Sequence, residues 1–235
     1  MTTGDHTHEI RHSFEERLES LRRGTVAMGS SVLENIRRLT VALLENDLDV
    51  ARAVVEADRE VDETYVRMER LAFETMARQQ PVASDLRFLV AITRLLYEIE
   101  RSGDLVVNAA AGLLAQDGYE LSPEVRARLG KISEVVADVW GRGIDVLGDM
   151  NGEAAAWIDR LDDEVDDLVG EFYTVIGAGS GELGFEVAVE LSRVGRYLER
   201  IADHSVNIAE HVAFIVTGSF PEDSHPPHPS PEDGD

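Results

Sequence analysis

Two short acidic segments combine residue types and spacing suited to holding a cation. One is Glu100-Arg101-Ser102-Gly103-Asp104 followed by Asn108; the other is Glu199-Arg200-Ile201-Ala202-Asp203 followed by Asn207. On a helix, side chains four residues apart are neighbours, about 5–6 Å apart at Cβ. Glu100 therefore shares a face with Asp104, and Glu199 with Asp203, and each asparagine extends that face by a turn. A further carboxylate pair precedes each segment: Asp58 and Asp62 flank Val61, and Asp162 and Asp166 flank Val165. With 46 acidic residues in 235, any one such pair is ordinarily just a solvated face. The recurrence of the whole pattern, with its Arg and Asn, argues for more. Like charges at this spacing mildly destabilise a helix, so placing them twice beside apolar positions invites a compensating cation. An all-oxygen donor set selects hard ions, Mg²⁺, Mn²⁺ or iron, over zinc. The metal-site expectation is thus Asp58, Asp62, Glu100, Asp104 and Asn108 in one half, and Asp162, Asp166, Glu199, Asp203 and Asn207 in the other.

Other motifs carry less. His8-Glu9-Ile10-Arg11-His12 fits the zinc-protease spacing, but that chemistry needs a buried helix, a third ligand and a substrate cleft, and this copy lies at the start of the chain. His204 and His211 read as exposed helical histidines, and His225 and His228 belong to the tail. Gly177-Ala178-Gly179-Ser180-Gly181 reads as a flexible turn between helices; no strand precedes it, and the sole lysine, Lys131, is remote. There is no cysteine and no Gly-x-Ser-x-Gly turn, so no activated nucleophile is in view and no catalytic residue is assigned. The alternative is a carboxylate-bridged metal protein or enzyme of the ferritin-like kind, which takes Glu-x-x-His from two of its helices. The only such sequences here, Glu9 to His12 and Glu222 to His225, lie in or beside the tails.

The elements that must position these residues are helices, and strand signals are absent. The spacing predicts six, over 10–45, 48–79, 82–116, 123–149, 153–177 and 182–217. Ser122-Pro123 is an N-cap followed by a first-turn proline. The last helix carries a 3-4 apolar stripe of Leu191, Val194, Leu198, Ile201, Ser205, Ile208, Val212 and Ile215; the third carries Ile92, Leu95, Ile99, Ser102, Val106, Ala109 and Leu113. Such stripes build long bundle seams. The acidic motifs repeat at an offset of 99 residues, whereas Asp58 to Asp62 matches Asp162 to Asp166 at 104, as Ala42-Leu43 matches Val146-Leu147. A five-residue difference between the second and third helix of each half reconciles the two. The expected fold is all-α: two tandem three-helix bundles from an internal duplication, spanning 10–118 and 119–218. Residues 1–9 and the proline-rich acidic segment 219–235 are expected to be disordered.

The formal charge of −24 opposes binding to phosphate backbones, so no nucleic-acid partner is expected. No signal peptide is visible. No apolar run approaches the roughly 20 residues of a membrane span, so neither membrane insertion nor export is expected, and the lack of cysteine suits a reducing cytoplasm.

These residues resemble the PhoU family. Its acidic E/D-x-x-x-D pattern inside an "ERxxD…N" helix corresponds to Glu100 to Asn108 and Glu199 to Asn207. Its proline-containing lead-in to the third helix corresponds to Gln79-Gln80-Pro81-Val82-Ala83-Ser84-Asp85-Leu86-Arg87. Tyr197 to His204 and Asn207-Ile208-Ala209 are likewise similar. The resemblance covers about residues 10–218, with one departure: the second repeat has Gly184-Phe185-Glu186 in place of the Asp-Leu-Arg lead-in. It implies a pair of three-helix bundles, in some relatives with multinuclear iron or other metal at the acidic motifs, and self-association, here as a homodimer. It also implies a non-catalytic regulator that couples the ATPase subunit of a phosphate ABC transporter to a phosphate-sensing histidine kinase. Such a regulator restrains uptake and holds the phosphate-starvation response off.

Overall fold

A computed structural model describes residues 3–79 and 81–219, with side chains from Arg11 onward apart from Gln79, Ser180 and Glu182. It consists of α1 (Thr3–Glu45), α2 (Leu48–Gln79), α3 (Ala83–Ala115), α4 (Pro123–Asp149), α5 (Ala155–Leu183) and α6 (Phe185–Thr217), with no strand among the described residues. The all-α, duplicated architecture is as the periodicity predicts. α1 begins at Thr3, inside the stretch expected to be disordered; once a packed helix exists, each further residue adds a hydrogen bond at little cost. Residues 1, 2 and 220–235 lie outside the described residues, and so does most of the expected tail.

Local chemistry sets the helix ends, and it repeats. After α1, Asn46 takes a left-handed φ of 55°, and the Asp47 carboxylate accepts from the N–H groups of Asp49 and Val50, each at 3.0 Å. After α4, Met150 takes a φ of 52°, and Asn151 accepts from the N–H of Glu153 at 3.2 Å. These turns stand 104 residues apart, the offset of the sequence repeat. α4 starts as expected, with Ser122 accepting from the N–H of Val125 at 3.3 Å and proline in the first turn.

A further expectation requires correction. The Gly177–Gly181 run is not a turn: α5 continues through it to Leu183, and the break falls at Gly184, φ 82°. Each helical glycine costs about 1 kcal/mol relative to alanine. Ile176 is buried on one side of the run, and Leu183 packs against the core on the other, so packing overrides propensity.

Each half is a three-helix bundle. Among the described residues, α2 touches only α1 and α3, and α5 only α4 and α6; the halves join where α1 meets α4 and α3 meets α6. Both joins are antiparallel. Arg22, near the middle of α1, donates to the Gly148 carbonyl in the last turn of α4, and Arg126 at the start of α4 donates to the Leu44 carbonyl in the last turn of α1. Both donor and acceptor pairs are related by the 104-residue offset, so the bundles exchange the same contact across an approximate two-fold. A cation at a helix C-terminus also complements the helix dipole. At the centre of the join, the buried Trp140 indole donates to the Gly29 carbonyl at 2.9 Å. The apolar stripe of α6 is buried along its length, from Leu191 to Ile215, at about 1.5–3 kcal/mol for each large side chain.

Candidate functional site

The α2/α3 pair positions the first carboxylate cluster. The buried Val61 fixes how far α2 rolls against α3, which leaves Asp58 half-buried on one side of it and Asp62 exposed on the other. Glu100 and Asp104 are half-buried on the facing edge of α3. Gly103 permits the approach: a Cβ there would lie 2.9 Å from Asp58 Oδ1, so any larger residue presses on that carboxylate. Burial pushes the Asp58 carboxyl up to about 6, with further contributions from Asp62, Asp104 and Glu100. Glu100 is raised by burial and by Asp104. The four groups expected from the sequence are thus one electrostatic unit, loosely compensated: among the described residues Arg101 pairs with Asp104 at 3.3 Å and also draws Glu100 down.

The second cluster forms in the same way between α5 and α6. Burial pushes Asp162 up to about 7, followed by repulsion from Asp203 and Asp166. Burial likewise raises Glu199 and Asp203. Asp162 Oδ1 is buried without a hydrogen-bond partner, and Arg196 pairs with Glu199. Ala202 stands where the first repeat has Gly103.

The asparagines do not behave alike. Asn108 is exposed one turn beyond Asp104. The Asn207 amide donates instead to Glu98 Oε2 at 3.3 Å, across the join between bundles. As donor sets, the carboxylates suit a hard cation: all oxygen, partly desolvated, mutually repelling and, at Asp162, holding an orphaned acceptor. Among the described residues, no group of three or more is already closed around one point as a metal ion requires, so binding would require side-chain rotation.

The expected exposure of the histidines is wrong. His204 is buried, 8% exposed, in the α3/α6 join. Ser102 Oγ donates to the Glu98 carbonyl at 2.9 Å; with that proton committed, His204 Nδ1–H donates to Ser102 Oγ at 2.8 Å. His204 Nε2 lies 3.7 Å from Glu98 Oε2. Burial, then Arg200 and Arg101, lower His204 to about 4; burial, then Arg94, lower His211 to about 4. Both imidazoles are neutral near neutral pH. The signal in the sequence was their place beside Ser205 and Val212 on a helix that packs on three neighbours, which makes its buried face wider than one stripe.

A duplicated three-helix protein that carries one crowded carboxylate cluster on the outer helix pair of each half is a distinct class of six-helix protein. The PhoU domain model matches the chain twice, over residues 25–112 and 129–212. A Mycobacterium leprae protein named phosphate-specific transport system accessory protein PhoU homolog 1 is 32% identical, covering 93% of this chain and 99% of its own length. The homolog 2 protein of Mycobacterium tuberculosis is 30% identical, covering 90% of this chain and 100% of its own. The crystal structure of PhoU from Pseudomonas aeruginosa superposes with a TM-score of 0.81 at 27% identity, covering 88% of this chain and 100% of that one. The chain belongs to the PhoU family.

Proposed function

We propose that this protein is a cytoplasmic, non-catalytic regulator of phosphate uptake. It contacts the ATPase subunit of a phosphate transporter and a phosphate-sensing histidine kinase, restrains transport and holds the starvation response off when phosphate is plentiful. The observation that carries the reading is the match of both bundles to the PhoU domain, joined to relatives named for phosphate transport that align over nearly the whole chain. The chemistry agrees. The acidic surface suits docking to basic patches, and electrostatics there set on-rate and specificity. No helix among the described residues is long and apolar enough to cross a membrane, as expected of an adaptor that meets membrane proteins from the side of their ATPase and kinase domains.

Each carboxylate quartet is a site for Mg²⁺, Mn²⁺ or iron. Asp58, Asp62, Glu100 and Asp104 hold the ion in one bundle, and Asp162, Asp166, Glu199 and Asp203 in the other; a bound cation supplies charge neutralisation. The residues themselves do the positioning, with Gly103 admitting Asp58 and the buried Val61 and Val165 setting the roll of the outer helices. The protein acts as a homodimer.

The test is affinity capture of the transporter ATPase and of the kinase's cytoplasmic region by the purified protein, with metal analysis of the same sample. The expected result is capture of both, weakening as salt rises. Absence of capture at low salt, with the protein folded and metal-loaded, would refute the adaptor role.

A further inference from the structure

The join between α3 and α6 holds a polar cluster that the carboxylate quartets leave unused: Glu98 and Ser102 from α3, His204 and Asn207 from α6. Three hydrogen bonds fix most of it. The Ser102 hydroxyl donates to the Glu98 backbone carbonyl at 2.9 Å, which commits its proton. His204 therefore donates from Nδ1 to Ser102 Oγ, at 2.8 Å. The Asn207 amide donates to Glu98 Oε2 at 3.3 Å. One atom is left over. His204 is 8% exposed, and its Nε2, which carries the lone pair of the neutral ring, has no hydrogen-bond partner among the described residues. It faces Glu98 Oε2 at 3.7 Å. Two acceptors are thus aimed at each other, an arrangement that is repulsive unless something positive lies between them.

The separation decides what fits. A shared proton needs the two atoms within about 3.2 Å, and a water that donates to both holds them about 4.4 Å apart. Two ligands of a tetrahedral zinc ion, with bonds of about 2.1 Å, stand about 3.4 Å apart. The observed 3.7 Å lies nearest the last. The surroundings agree. A metal-bound imidazole donates its other N–H to a fixed acceptor that sets the ring's orientation, and Ser102 Oγ, held by the Glu98 carbonyl, is such an acceptor. Asn207 follows His204 by three residues, so the two share a face of α6. Turning the Asn207 amide over puts Oδ1 in the place of Nδ2, beside the same carboxylate. Among the described residues no three His, Asp or Glu side chains gather round one point; here the third donor is the asparagine.

We propose that Glu98, His204 and Asn207 form a zinc site that bridges the two bundles, with water completing the shell. Imidazole with carboxylate selects zinc, where the all-oxygen quartets select harder ions. The site is separate from those quartets: Asp203 precedes His204 in the chain but interacts with Asp162 and Asp166 on α5. It also occurs once. The 99-residue offset relates Glu98 to Tyr197 and His204 to Leu105, so the other half offers no copy. Arg200 and Arg101 lie within electrostatic range of His204 and oppose a cation. Arg101 is paired with Asp104 at 3.3 Å, which leaves Arg200 as the main opposing charge. The proposal depends neither on the regulator reading nor on metal in the quartets.

The test titrates zinc into the full-length, chelator-stripped, ¹⁵N-labelled protein in saturating Mg²⁺, which occupies the carboxylate quartets. Long-range ¹H–¹⁵N spectra follow the histidine rings, and a competing chromophoric chelator reports affinity. The ring signals of His204 are identified by their absence in His204→Gln. Zinc should shift His204 Nε2 and leave the proton on Nδ1. Glu98→Gln, which keeps the side chain's shape and whose fold circular dichroism verifies, should bind zinc at least tenfold more weakly, since even outer-shell changes cost about that much. Arg200→Gln should bind it more tightly. Zinc that leaves the His204 ring unmoved in the wild type, or that binds Glu98→Gln as tightly as the wild type, overturns the proposal. Zinc binding that is lost in an Asp104→Ala, Asp203→Ala double variant and retained in Glu98→Gln assigns the ion to the quartets and overturns it as well.

Discussion

Asp162→Asn is the sharpest probe of the carboxylate clusters. Burial and the neighbouring Asp203 and Asp166 push the Asp162 carboxyl from its ordinary 3.8 to about 7, and its Oδ1 is buried without a partner. A folded-state value raised above the unfolded one means that the folded protein favours the protonated form. The associated stability is fully present below about pH 4 and is lost as pH rises through about 7. At about 1.4 kcal/mol per tenfold change in acidity, the displacement corresponds to about 4 kcal/mol. Asp162 is half-exposed, and screening by solvent brings this down to roughly 1–2 kcal/mol. Asparagine keeps the shape and removes the charge, so Asp162→Asn should be more stable than wild type by about that amount at about pH 8, by less at about pH 5, where the loss has only partly accrued, and no more stable below about pH 4. For a chain of this length the gain is about 2–8 °C in Tm. Thermal melts by circular dichroism in a chelating buffer at each pH provide the assay; comparing variant with wild type at each pH cancels the contributions of His204 and His211. A variant no more stable than wild type at the highest pH, or equally stabilised at every pH, would show that Asp162 is not a crowded, desolvated carboxylate.

Three further outcomes are expected. In chelator-treated protein, Mn²⁺, Mg²⁺ or iron raises the melting temperature by linkage, and the gain shrinks in an Asp104→Ala, Asp203→Ala double variant; no response of the wild type to any of the three removes the metal assignment. His204→Ala removes one of the two hydrogen bonds of Ser102 Oγ and opens a cavity in the α3/α6 join, so urea titration should report a loss of about 2–4 kcal/mol, against little change for the exposed His12→Ala. Gly112→Ala sets a Cβ 1.8 Å from Glu190 Oε1, which forces that buried carboxylate to move; a loss of about 1–3 kcal/mol is expected, while Gly148→Ala, with open space around it, should cost nothing measurable.

The fold was legible because its signals are local and doubled. Periodicity marked the helices, and the offset of 104 that links Asp58 to Asp162 recurs in the structure at the Asn46 and Met150 turns and in the reciprocal Arg22 and Arg126 contacts. The acidic clusters were legible because the repeat selected Asp58, Asp62, Glu100 and Asp104 from many carboxylates, and their coupling follows from helix spacing alone. What failed was non-local. His204 and His211 looked exposed because only the stripe of α6 was counted, and that stripe says nothing of the face α6 turns to α3. Gly177 to Gly181 looked like a turn because propensity is intrinsic to the residue, whereas Ile176 and Leu183 hold the helix by packing. Asn108 and Asn207 occupy matching places in the repeat, and the contact of the Asn207 amide with Glu98 on the other bundle is not visible in that repeat.

The central claim is that this PhoU-family chain restrains phosphate uptake and signalling, and a deletion strain tests it most directly. In phosphate-rich medium, in a host without a second PhoU-family gene, deletion should leave a phosphate-starvation reporter on and phosphate uptake unrestrained. The wild-type gene, or one lacking the codons for residues 222–235, should restore both. Normal repression of the reporter together with normal uptake in the deletion strain would contradict the account.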